Sequence, residues 1–336
     1  MKRIENYDLS ARNTFGMKVK CALYIEYDTV DELKSLDYKA LPQPLLHIGG
    51  GSNLLFTGDF PGTVLHSNVK FLKYVDMGLD EVLVTAGAGV VFDDFVAEVS
   101  GQGLWGAENL SLIPGEVGAA AVQNIGAYGV EVKDIIAGVV CLDTKDWSKT
   151  IFKTPECAYG YRDSRFKHEK GRYVITSVLF RLNRRYSPRL DYGGVRAALE
   201  GHDLSALKPS EVRDAIIGIR RAKLPDPAEL GSAGSFFKNP VIPREHFERI
   251  AEGNPVAPHY DLPDGTVKVP AAWLIDQLGF RGQREGGAQV YEKQPLVIVN
   301  ATGSATPAEI IALEQRIIAK VKEKYDIVLH PEVEHI

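Results

Sequence analysis

The stretch GAENLSLIPGEVGAAAVQNIGAYG, residues 106–129, decides how the chain is read. Glycine, alanine, serine and proline fill much of it, so the main chain is left bare over a length that accommodates a flat ligand. The side-chain amides of Gln123 and Asn124 add donors and acceptors for ring or ribose atoms. On its residues alone the stretch reads as a nucleotide-like cofactor cleft. Upstream, the apolar run Leu45-Leu46-His47-Ile48 stops abruptly at Gly49-Gly50-Gly51-Ser52-Asn53. That pattern predicts a buried strand feeding a loop whose N–H groups can turn toward a pyrophosphate. The loop lacks G-x-G-x-x-G spacing before a long helix, which argues against a Rossmann-type site.

Periodicity predicts further strands over 21–27, 81–86, 135–142 and 173–182, and a helix over 92–99 with Phe92, Phe95, Val96 and Val99 on one face. From about Ser210 the pattern becomes more helical. It ends in a helix announced by Thr306 as N-cap, Pro307 at the first position and Glu309 completing a capping box. A domain boundary is expected between about Arg185 and Lys223.

Of the 336 residues, 45% are hydrophobic and 25% charged, enough for two or three domains with proper cores. A net charge of -5 speaks against a surface that tracks nucleic acid and for small-molecule partners. The opening residues lack a signal-peptide core and no stretch approaches a membrane span, so a cytoplasmic protein is expected. Cys21, Cys141 and Cys157 are widely spaced and read as reduced structural thiols. The eight histidines show no metal-binding spacing, and no metal is expected.

Three blocks, IGGGSNLLF, AENLSLIPGEVGAAAVQNIGAYGVEV and YGYRDSRFK, resemble the flavin domain of the UDP-N-acetylenolpyruvoylglucosamine reductase family, and the likeness runs from Asn13-Thr14-Phe15 to Val333. The resemblance implies an α+β fold: an FAD-binding domain of the vanillyl-alcohol-oxidase type in two subdomains, and a C-terminal α+β substrate domain. It divides the chain into 1–66 (with the tail 333–336 returning to it), 67–218 and 219–332. It implies non-covalent FAD, with Gly49, Gly50, Gly51, Ser52 and Asn53 around the pyrophosphate. Asn109, Ile113, Pro114, Gly115, Gln123, Asn124, Ile125 and Gly126 would line the remainder, with Arg220 near the flavin. Glu116 and Ala121 stand where the family commonly has a small residue and a proline.

Reducing an enol ether beside a carboxylate needs a hydride donor, a group that stabilises enolate-like charge and a proton donor for the other carbon. Flavin supplies only the first. By resemblance Arg162 grips the carboxylate, Ser235 in GSFFKNP protonates carbon, and Glu332 in Pro-Glu-Val acts with the arginine. By themselves these three residues read as a surface charge, a turn serine and a terminal carboxylate. An anionic Glu332 next to a substrate carboxylate is repulsive, which predicts that it is paired with Arg162 or carries a proton.

Lys223, at the end of the basic run Arg220-Arg221-Ala222-Lys223, is implied to reach substrate phosphates or the nicotinamide nucleotide. Asn239 and Gln294 would line the same cleft, and Tyr192 matches the tyrosine loop of one of the family's two subclasses. The implied reaction is NADPH-dependent, FAD-mediated reduction of UDP-N-acetylglucosamine enolpyruvate to UDP-N-acetylmuramate by a monomer. One shared pocket implies ping-pong kinetics. Two other readings remain open at this level: an FAD-dependent oxidase of a small alcohol or sugar on the same fold, and a catalytically silent sensor.

Overall fold

The computed structural model describes residues 1–336, which resolve into two compact units. The first comprises Met1–Tyr7, Cys21–Gly50 and Phe60–Ala222; the second comprises Asp8–Lys20, Gly51–Asp59 and Lys223–Ile336. The division falls inside the glycine loop, between Gly50 and Gly51.

Two sheets build the first unit. In one the strands run in the order Lys2–Asp8, Lys20–Tyr27, Phe60–Ser67, Leu45–Ile48, with parallel pairing of Phe60–Ser67 to both Lys20–Tyr27 and Leu45–Ile48. The other is antiparallel, in the order Lys149–Lys153, Ile136–Asp143, Tyr173–Asn183, Glu81–Gly87, Leu72–Gly78. Alternation along Glu81–Gly87 turns Val82, Val84 and Ala86 into the core, where they meet Val178, Phe180 and Leu182. The helix Phe92–Gly101 closes this face with Phe92, Phe95, Val96 and Val99, the stripe that its spacing predicts. Phe95 stacks on Phe180 with ring centroids 4.3 Å apart. Burying each ring contributes roughly 2–3 kcal/mol.

A short helix, Val117–Gln123, packs on the same core through Val117, Gly118, Ala120 and Ala121. It holds the glycine-rich stretch that opened the sequence reading. A Cβ at Gly118 would lie 3.0 Å from Ala88 Cβ, so the small residues there serve close packing as well as a bare surface.

The second unit has an antiparallel sheet in the order Ser232–Ser235, Val297–Asn300, Ala288–Val290, Arg284–Glu285. A smaller sheet joins Val241–Pro243, Thr266–Lys268 and Tyr260–Asp261. The helix Pro307–Tyr325 starts at the predicted capping box: Thr306 Oγ1 accepts from Glu309 N at 3.3 Å and Thr306 N donates to Glu309 Oε2 at 2.8 Å. Glu334–His335 pairs in parallel with Leu54–Leu55. No helix is long and apolar enough to cross a membrane.

Candidate functional site

In the first unit the strand Leu45–Ile48 runs into Gly49 and Gly50, and these meet the other glycine-rich block. A Cβ on Gly50 would sit 3.4 Å from Gly115 Cα; one on Gly49 would sit 3.1 Å from Ala119 Cβ and 3.3 Å from Glu116 Oε2. Any larger residue here would fill the approach between the two segments. The sequence blocks, some sixty residues apart, thus form one glycine-lined surface at the start of the helix Val117–Gln123. Ile113 is half-buried and Pro114 exposed beside Gly115.

Two buried polar atoms near this region have no protein partner: Asn109 Oδ1 and Arg220 Nε. Asn109 is fully buried and its Nδ2 donates to the carbonyls of Tyr128 and Arg189, both at 2.9 Å. Burial pulls the Arg220 guanidinium pKa down, against the opposing pull of Tyr128 and Asp93. An unsatisfied buried guanidinium N–H costs about 1–3 kcal/mol, more for a charged group, unless a ligand acceptor meets it. A phosphate-bearing, flat cofactor with both donors and acceptors meets these requirements, so the residues fit FAD.

Arg162 is held nearby in the same unit. Its Nη2 donates to Gly126 O at 2.7 Å and its Nη1 to Asn124 O at 3.3 Å. Its own backbone is left-handed, φ 53°, within a tight turn where Gly160 and Asp163 exchange main-chain hydrogen bonds. Asn124, also left-handed at φ 47°, closes the helix, and its side chain is spent internally: Nδ2 donates to Gly160 O at 2.7 Å and Oδ1 accepts from Lys133 N at 3.2 Å. What Asn124 presents is its main chain. Gln123 Oε1 accepts from Lys167 Nζ at 2.7 Å, and the same ammonium reaches Arg162 O at 3.2 Å. Ile125 is half-buried beside them. Tyr192 is exposed, and its Cβ lies 3.3 Å from where a Cβ on Gly129 would be.

The second unit carries Ser235 and Glu332 on adjacent backbone. Ser235 is exposed at the end of Ser232–Ser235, between Gly234 in a left-handed conformation and the buried Phe236 and Phe237. Glu332 N donates to Phe236 O at 2.8 Å and Lys238 N to His330 O at 2.9 Å. The Pro-Glu-Val segment therefore runs beside the serine strand, and Glu332 itself is half-buried. Asn53 ties this segment to the glycine loop: its Nδ2 donates to Glu332 O at 3.1 Å, and its carbonyl accepts from Glu334 N at 2.9 Å. Gly51, at φ 63°, must be glycine, since a Cβ would lie 2.0 Å from Arg12 O. Ser52 is half-buried next to it. Asn239 Oδ1 accepts from Ala271 N at 2.9 Å, starting the helix Ala271–Gln277; Gln294 is half-buried, and Lys223 is exposed at the end of Pro209–Lys223.

Some groups here escaped the sequence reading. Arg213 grips Asp93 with both nitrogens, at 2.5 and 2.9 Å. Burial works to raise the Asp93 pKa, but the Arg213 fork, the Leu112 N–H and the charge of Arg220 hold it below the usual carboxylate range. The partners are 120 residues apart, so no spacing signals them. Lys167 lies inside the quoted YGYRDSRFK block, and a lysine five residues after Arg162 was the available signal. His66, Glu26 and Glu116 form a cluster with the imidazole between the two carboxylates.

An FAD-binding domain model matches residues 22–146, and the glycine-lined surface formed by Gly49, Gly50 and Gly115 falls within that match. The class is thereby defined: an FAD-dependent oxidoreductase of α+β fold. The C-terminal domain model of UDP-N-acetylenolpyruvoylglucosamine reductase matches residues 226–336. The enzyme of that name from Bacteroides fragilis (strain YCH46) is 48% identical over 334 residues, covering 99% of each chain. That of Chromobacterium violaceum is 46% identical, covering 97% of this chain and 96% of the other. A crystal structure of UDP-N-acetylenolpyruvylglucosamine reductase from Thermus caldophilus superposes with a TM-score of 0.68 at 24% identity, over 99% of this chain and 98% of that one, a likeness of fold. The chain belongs to the UDP-N-acetylenolpyruvoylglucosamine reductase family.

Glu108, next to Asn109, is buried. Burial raises its pKa from 4.5 to about 7, with the Glu108 and Gly106 N–H groups and Arg189 pulling the other way. The folded chain therefore keeps a proton that the unfolded chain loses, and stability falls as pH rises from about 4.5 to about 7. Glu108→Gln should remove this loss, gaining about 2–3 kcal/mol over the parent at pH 8 relative to pH 5. Urea unfolding at the two pH values measures it; parallel shifts of both proteins would contradict the assignment.

Proposed function

We propose that this chain catalyses NADPH-dependent reduction of UDP-N-acetylglucosamine enolpyruvate to UDP-N-acetylmuramate, a step of peptidoglycan precursor synthesis, as a cytoplasmic monomer. The observation that carries the reading is the pairing of the Ser235 strand with the Glu332 segment, through Glu332 N to Phe236 O at 2.8 Å. An oxidase of small alcohols does not need a serine and a glutamate in these roles.

FAD, when bound, supplies the hydride for the methylene carbon and is replenished by NADPH. Gly49, Gly50 and Gly115 offer it a surface free of side chains, with Gly51, Ser52 and Asn53 continuing the loop, and Asn109 Oδ1 and Arg220 Nε hold unspent hydrogen-bonding capacity. Arg162 binds the substrate carboxylate and gains strength as enolate charge builds there. Its two bonds to the Asn124 and Gly126 carbonyls fix the guanidinium. Ser235 gives its proton to the carbon bearing the carboxylate. A hydroxyl is a weak acid, so the step depends on alignment and a strongly basic enolate. Solvent exposure lets the hydroxyl recover its proton. Glu332 acts with Arg162 on that enolate. Lys223, Asn239, Gln294 and Tyr192 bind the diphosphate and sugar, and the division into 1–66, 67–218 and 219–332 describes the functional parts.

Two variants test this. In anaerobic stopped-flow, Ser235→Ala should be reduced by NADPH at close to the parent rate, while return of flavin absorbance on adding the enolpyruvate slows by about 10²–10⁴-fold. Return at the parent rate, or return with oxygen alone, would sink the assignment. Gly126→Ala adds a Cβ 3.1 Å from Arg162 Nη1 and 2.9 Å from Val130 O. It should displace the guanidinium and lower kcat, expressed per bound flavin, by about 10–100-fold; an unchanged kcat would show that Arg162 is not held this way.

A further inference from the structure

The structure gives the carboxylate of Glu116 a defined setting. Glu116 is buried, 8% exposed, at the entrance to the helix Val117–Gln123, with Oε2 3.3 Å from the position a Cβ on Gly49 would take. Its Oε1 lies 2.8 Å from His66 Nε2. His66, itself 3% exposed, has Nδ1 3.0 Å from Glu26 Oε2, which also accepts from the Tyr24 hydroxyl at 2.9 Å. Tyr24 lies roughly parallel to the imidazole at a centroid separation of 6.3 Å, and Tyr7 stacks on Tyr24 at 4.2 Å.

A neutral imidazole has one N–H and one lone pair. Set between two ionised carboxylates it can satisfy only one of them, and its lone pair would face the other at hydrogen-bond distance. The two short contacts therefore require one additional proton, shared among Glu26, His66 and Glu116. Without it a lone pair faces a carboxylate at Glu116, in a buried site where such a contact is costly. Glu116 lies directly against the loop that the flavin reading assigns to the pyrophosphate, and a bare carboxylate there would repel the anion.

We infer that His66 is the counter-charge that makes Glu116 compatible with an anion at the glycine loop: a positioning residue for FAD, acting through Glu116 and not touching the cofactor. The inference rests on the reading that residues 49–53 receive the pyrophosphate. Two consequences separate it from simple packing. Removing the imidazole should harm FAD binding, and removing the carboxylate it serves should repair that harm.

The test is titration of FAD into apoprotein, read by flavin fluorescence, for the parent, His66→Gln, Glu116→Gln and the double variant. His66→Gln is expected to raise Kd by about 10–100-fold, as one unbalanced charge near a diphosphate should. Glu116→Gln should bind at least as tightly as the parent, and the double variant should return to within about threefold of it. A double variant no better than His66→Gln would overturn the inference, leaving His66 a packing residue. If His66→Gln does not fold, Glu116→Gln alone decides: a loss of tenfold or more in affinity contradicts the inference. A parent apoprotein that binds no FAD would instead refute the flavin reading beneath it.

Discussion

Close backbone approach at the glycine-lined surface is the constraint on which the rest of the first unit depends. Gly50 comes against Gly115 because neither has a side chain, and a Cβ at the first would already touch the Cα of the second. The approach requires a strand that ends on time, Leu45–Ile48, and a helix that starts on time, Val117–Gln123. The helix in turn is fixed by small residues packed on the core beneath it, and by Val117 N and Gly118 N donating to the carbonyls of Val90 and Ala88. Bare main chain, not a set of specific side chains, is what this part of the fold offers a cofactor.

Backbone strain gathers on the same segments. Leu112, Asn124, Tyr128, Ala158 and Arg162 all have positive φ without being glycine. Each such residue costs on the order of 1–2 kcal/mol and persists only where the surroundings impose it. At Asn124 and Arg162 the imposing contacts are visible: the Asn124 side chain ties the helix end to Gly160, and the guanidinium of Arg162 returns to the carbonyls of Asn124 and Gly126. The strain holds a cation in place at the end of a helix made of small residues.

Much of this was legible along the chain, because the determinants are local. The strand Leu45–Ile48, the apolar face of Phe92–Gly101 and the Thr306 capping box are encoded in single runs with a period or a cap chemistry of their own. The glycine blocks by themselves indicated a nucleotide-like cofactor cleft, and the α+β class and FAD came from the family resemblance that those blocks carry. What was not legible depends on contacts between distant residues. Asp93 with Arg213 and His66 with Glu116 are pairs with no spacing signature, and each histidine of the chain looked unremarkable until its neighbours were known. The division inside the glycine loop, between Gly50 and Gly51, was equally hidden, since nothing in GGGSN distinguishes its two halves. Side chains presumed to face a ligand by motif, such as that of Asn124, prove to be spent on the protein itself, a distinction that only the hydrogen-bond partners reveal.

The central claim is that this chain adds two hydrogens across an enol ether at the expense of NADPH. Anaerobic incubation of the FAD-loaded protein with NADPH and UDP-N-acetylglucosamine enolpyruvate, followed by mass spectrometry of the sugar nucleotide, tests it most directly. The account predicts a product two mass units heavier, formed in equal amount to the NADPH oxidised. An enolpyruvate recovered unchanged from a protein whose flavin NADPH has reduced would contradict it.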